Sequence, residues 1–105
     1  MKVYVYRLQN TDVLTYSLRA DAAQINELMR GKHIVENITD KLRIHYRNDE
    51  SISESSLSAW RVENGKTLKC YAGTIIFEAV DENGNSRDID QYDILYILDH
   101  FKPYG

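Results

Sequence analysis

The sequence predicts an α+β domain: a mostly antiparallel sheet of about five strands with one helix packed on it. Three observations carry that expectation. Residues 2–8, KVYVYRL, alternate with period two in β-branched and aromatic side chains. Residues 21–31, DAAQINELMRG, carry the start and stop signals of a short helix. The later half of the chain is strand-like and broken by two Asn-Gly pairs, Asn64-Gly65 and Asn83-Gly84. The 105 residues are the size of one domain, taken as 1–105, and suffice for one modest core without disulfides or metal. An apolar content of 43% with 28% charged residues excludes a disordered chain.

In KVYVYRL, Val3, Val5 and Arg7 point one way and Tyr4, Tyr6 and Leu8 the other. A turn is expected over residues 10–12 and a second strand over 13–18, which makes an N-terminal hairpin. The helix is expected over about 21–30. Asp21 is its N-cap and Gln24, three residues on, completes a partial capping box. Ile25, Leu28 and Met29 form the apolar stripe, Arg30 closes the last turn, and Gly31 stands past the end.

Residues 33–47 hold a further strand, with Leu42, Ile44 and Tyr46 on one face and Arg43, His45 and Arg47 on the other. The serine-rich stretch 48–58 reads as a long mobile loop. Residues 66–72 and 74–80 read as strands, with Gly73 marking a bulge, bend or close approach. Asn83-Gly84 is expected to form a type I′ turn, with residues 85–89 returning beside 75–80. The C-terminal YDILYILDHF suits either a helix or a strand. The helix reading has a small advantage: Asp90 can cap it, Asp93 suits its first turn, and Ile94, Ile97, Leu98 and Phe101 share a face before Pro103.

Charge is distributed unevenly. Residues 1–35 carry +2, residues 36–70 are neutral, and residues 71–105 carry −5. The acids of that last third, Glu78, Asp81, Glu82, Asp88, Asp90, Asp93 and Asp99, lie among apolar residues, with Tyr92, Tyr96 and Tyr104 nearby. Direct nucleic-acid binding by such a region is not expected, because phosphates require Lys and Arg. The reading is a non-enzymatic binding or inhibitory protein. It would offer Glu78, Asp81, Glu82, Asp88, Asp90 and Asp93, with Tyr92 and Tyr96 as anchors, to a basic protein, nucleic-acid-binding proteins being one such class. Spaced carboxylates can mimic phosphates, and small inhibitors of phage or mobile elements share this size and lack of catalytic motifs.

An alternative lies in Arg43-x-His45-x-Arg47, whose three side chains would stand about 6.6–7 Å apart on one strand face. Two guanidiniums around an imidazole can grip phosphate while the imidazole moves a proton, as in an RNA-directed module. The blander readings are a solvated face, or an ion-pair ladder with acids on a neighbouring strand. A homo-oligomer pairing tyrosine-rich strand edges is the third reading; eight tyrosines against two phenylalanines is a skewed usage.

No cofactor or metal is expected. The loop from Asp81 lacks the glycine and glutamate positions of a calcium-binding EF-hand. Cys70, His33, His45 and His100 lack metal-ligand spacing, and Cys70 reads as a buried thiol. No nucleotide cradle or hydrolase elbow occurs. A single cysteine, no secretory leader in MKVYVYRLQN and no long apolar run make the cytoplasm the expected compartment.

Overall fold

Alternation at the N-terminus builds the expected hairpin. In the computed structural model, which describes residues 1–10, 12–47 and 57–104, strand β1 (Lys2–Gln9) pairs antiparallel with β2 (Asp12–Arg19) from Lys2↔Arg19 to Gln9↔Asp12. Both faces of β1 are buried: Val3 and Val5 enter one core, Tyr4 and Tyr6 another.

Helix α1 (Ala22–Leu28) begins with the capping box its spacing predicts. Gln24 N donates to Asp21 Oδ1 and Asp21 N donates to Gln24 Oε1, each at 2.8 Å. The helix ends sooner than expected, with Met29 as C-cap, so Arg30 lies past the last turn at φ 59°. Arg30 N donates to Glu27 O and Gly31 N to Asn26 O, the paired bonds of a Schellman end. Ile25 and Met29 pack on Val3, Val5 and Ile76.

The segment expected as one strand over 33–47 is a hairpin of β3 (Ile34–Asn37) and β4 (Leu42–Tyr46). Of the predicted loop 48–58, residues 48–56 lie outside the described residues. Leu57 and Ser58 already belong to β5 (Leu57–Glu63), which pairs with β6 (Lys66–Ala72). Between them Asn64 and Gly65 both have positive φ, 52° and 76°, as a two-residue type I′ turn requires.

Gly73 sits at φ 68° with nothing within 4 Å of the place a Cβ would occupy, so it marks a bend rather than a close approach. There the chain leaves one sheet for the middle of another, forming β7 (Ile75–Val80), every residue of which is buried. At Asn83-Gly84 only Gly84 has positive φ, 80°, so this turn is not type I′. Gly84 N donates to Asp81 O and Asp81 N to Asn85 O, closing a three-residue loop with a left-handed glycine. Asp81 Oδ1 also accepts from Asn83 N and Asn85 N, each at 2.9 Å, which favours this longer loop. The return strand β8 is only Ser86–Arg87.

The C-terminal segment is helix α2 (Gln91–His100), capped by Asp90. Pro103 does not stop it. The helix ends as Phe101 extends into β9 (Phe101–Pro103), which pairs with β5.

All described pairings are antiparallel. One sheet has the order β2-β1-β7-β4-β3 with β8 on β7; the other is β6-β5-β9. The larger sheet is the middle layer. One face carries α1; the other meets the smaller sheet and α2 through Tyr6, Ile44, Phe77, Tyr71, Ile97 and Phe101. Lys69 Nζ donates to the Tyr46 hydroxyl at 2.7 Å, which donates to Glu36 at 2.8 Å, a further link between the sheets. The radius of gyration, 13.0 Å, is that of one domain of this length. No helix among the described residues is long and apolar enough to cross a membrane.

Candidate functional site

Local structure sorts most of the late-chain acids into two groups, with Asp88 apart from both. Glu78 is the lone acid in the run IIFEAV, and β7 is the central strand, so its carboxylate is 5% exposed. Asp93 is the N3 residue of α2 and turns inward, 8% exposed, where the Arg87 guanidinium grips it at 2.7 and 3.0 Å. Neither can serve as the exposed contact residue the sequence suggested. The reason is the same for both: each carboxylate is enclosed with its hydrogen-bond partners, Glu78 with His45 and Ser86 and Asp93 with Arg87.

Asp88 does not line the cleft that the second group forms. It accepts from Lys2 N at 2.7 Å and lies 3.5 Å from Arg19, which together hold its carboxyl below the usual range. Asp88 and Asp90 lie outside any strand, in the connection between β8 and α2.

The second group converges. Asp81 and Glu82 from the β7–β8 loop, Asp90 from the start of α2, and Asp40 from the β3–β4 turn line one cleft of about 420 Å³. Its floor includes Val80, and its cations are Lys41 and Arg87. Arg87 is already committed to Asp93, and Asp90 stands 3.8 Å away. The hydrogen bonds it donates to Asp93, then the charges of Asp93, Asp90 and Asp81, hold the Arg87 pKa above its ordinary value despite burial. The remaining field at the cleft is negative.

Just beyond Asp90, α2 exposes Tyr92 at 73% and Leu95 at 63%. Tyr96 is half-buried and stacks on His100 with centroids 3.9 Å apart. Tyr104 packs edge-on against Trp60, on the smaller sheet. Sequence reading missed Leu95, although its spacing of three from Tyr92 is a helical neighbour relation. Asp40 had no sequence signal, being brought in by the β4–β7 pairing.

Arg43 and His45 share one face of β4, the strand ends at Tyr46 before Arg47, and His45 is 8% exposed. Its Nδ1 is 2.9 Å from His33 Nε2 and its Nε2 is 2.9 Å from Glu78 Oε1. Arg43 donates to Gly84 O at 3.0 Å. With both imidazole nitrogens engaged, His45 has none left to move a proton on a bound phosphate. The arrangement is nearest to the cross-strand ladder, with Arg43 directly opposite Glu78.

His33 Nδ1 is 2.7 Å from Gly31 O, and Ser86 Oγ donates to Glu78 Oε2 at 2.5 Å. A continuous chain thus runs from Gly31 through His33, His45 and Glu78 to Ser86. The hydrogen bond from His45 outweighs burial and, with Ser86 and Arg43, holds the Glu78 carboxyl below its usual range.

Cys70 is exposed, not buried: it sits on the edge strand β6, on the side opposite buried Tyr71. Among the described residues no group of three His, Cys, Asp or Glu side chains could hold a metal ion. No protein-family model matches the chain, and no curated protein or solved structure shows significant similarity to it.

Proposed function

We propose that this protein is a non-enzymatic binding protein whose contact surface is the acidic cleft together with the exposed start of α2, and whose partner is a basic protein segment. One observation carries the reading: Asp40, Asp81, Glu82 and Asp90, drawn from three separate parts of the chain, surround a single cleft. Tyr92 and Leu95 supply apolar area beside it. Aromatic anchors flanked by charge are what a specific contact uses, the anchor for affinity and the charge for steering. A lysine or arginine side chain fits the cleft in size and sign. Attraction would act over a Debye length of about 8 Å at physiological salt. An inhibitor that occupies a site built for phosphate is one form of this function.

The test uses a fluorescent peptide rich in Lys and Arg, with a neutral peptide of equal length as control. Asp81 and Asp90 already serve a turn and a cap, so charge reversal is placed at Asp40→Lys and Glu82→Lys. The proposal expects selective binding of the basic peptide, weakening steeply with salt, and its loss in the double variant. Equal affinity in the double variant overturns it.

A further inference from the structure

The chain Gly31–His33–His45–Glu78–Ser86 contains a proton count that its geometry enforces. A backbone carbonyl only accepts, so the 2.7 Å contact with Gly31 O places a hydrogen on His33 Nδ1. The 2.9 Å contact between His33 Nε2 and His45 Nδ1 needs one hydrogen between two nitrogens. The 2.9 Å contact between His45 Nε2 and Glu78 Oε1 needs another. Three links need three hydrogens, and two neutral imidazoles carry only two.

We propose that His33, His45 and Glu78 hold one shared proton beyond two neutral rings, and that this makes the chain a pH-responsive clasp between the α1–β3 connection and the β7–β8 hairpin.

The charge balance is an imidazolium against the Glu78 carboxylate. Arg43, directly across from Glu78 on β4, favours the carboxylate form. Ser86 Oγ donates to the other carboxylate oxygen and so adds β8 to the clasp. The surrounding charges are cationic. Arg43 shares the β4 face of His45, Arg47 follows the strand in sequence, Arg30 and Lys32 precede His33, and β3 sets the apolar Val35 opposite His45. The Glu78 carboxylate favours one imidazolium, while these cations oppose a second, which would also set two charged rings face to face at contact distance. Losing the shared proton is equally disruptive, since one link would be left with two opposed lone pairs. The folded chain therefore binds one proton more than the unfolded chain once free imidazoles are neutral. By linkage, a folded chain that holds the additional proton is favoured more strongly at lower pH.

The test compares the folding equilibrium constant of the intact chain with that of His33→Ala between about pH 6 and 9. In the variant, His45 needs only its own hydrogen to reach Glu78, so no extra proton is required. The wild-type constant is expected to fall with rising pH, approaching about tenfold per unit for one proton, while the variant, which keeps only the His45–Glu78 contact, falls less steeply. The same slope in both overturns the proposal. Should the variant fail to fold, imidazole nitrogen NMR of the wild-type chain decides. One joint titration step for both rings supports the clasp; two independent steps overturn it.

Discussion

The Tyr6 hydroxyl donates to the Phe101 carbonyl at 2.6 Å, joining residues 95 apart in sequence. It ties strand β1, next to the central β7, to the point where α2 becomes β9. Burial, then the neighbouring Tyr4, pushes the Tyr6 pKa far above the usual phenol range, so the hydroxyl stays protonated and donates at every physiological pH. Tyr6→Phe keeps the ring and removes the donor beside a buried carbonyl. It is expected to cost about 1–3 kcal/mol in urea unfolding. A loss under a few tenths would mean that another donor replaces it.

The Arg87–Asp93 pair predicts acid sensitivity. Burial pushes the Asp93 carboxyl up, but the hydrogen bonds from Arg87 and Asp90 N, with the Arg87 charge, outweigh it and hold the carboxyl below the usual range. A depressed folded value means the stabilisation is present above the unfolded value, near about pH 3.9, and is lost as pH falls through the folded one. Glu78 contributes in the same direction from its own lowered value. Asp93→Asn is expected to lose about 1.5–3 kcal/mol at neutral pH and to decline less steeply in acid. Parallel acid limbs in the two proteins would show that the pair does not set this dependence.

The exposed start of α2 separates binding from folding. Tyr92→Ser and Leu95→Ser remove large apolar groups that face solvent. Thermal unfolding should move by no more than about 0.5 kcal/mol equivalent. Affinity for the basic peptide probe should drop in both. A strong stability loss would instead assign these side chains to packing.

Arg30 occupies a left-handed position, φ 59°, at the end of α1. A non-glycine residue there costs about 1–3 kcal/mol, while glycine adds about 0.4–1 kcal/mol of unfolded-chain entropy. Arg30→Gly is therefore expected to stabilise the protein, by about 0.5–1 kcal/mol. Its position outside the helix also predicts little change in helical circular dichroism.

Much of this architecture is legible residue by residue. The Asp21–Gln24 box, the β1–β2 hairpin, the turn at Asn64-Gly65 and the cap at Asp90 depend on neighbours within a few positions, and each forms as its spacing predicts. The second Asn-Gly pair does not, because Asp81 offers its side chain to the Asn83 and Asn85 amides and selects a longer loop. The sequence also held an unused clue: one glutamate in the apolar run IIFEAV belongs inside a doubly covered strand, not on a surface.

The sequence by itself determined the strand periods, the helix caps and the acidic excess of the last third. Only the tertiary structure decided which acids meet solvent. A carboxylate's exposure depends on the element laid over it. That element comes from distant sequence: β4 and β8 flank Glu78, and the same packing brings Asp40 to Asp81 and Asp90. Local pattern reports which face a side chain takes, and packing alone reports whether that face is covered.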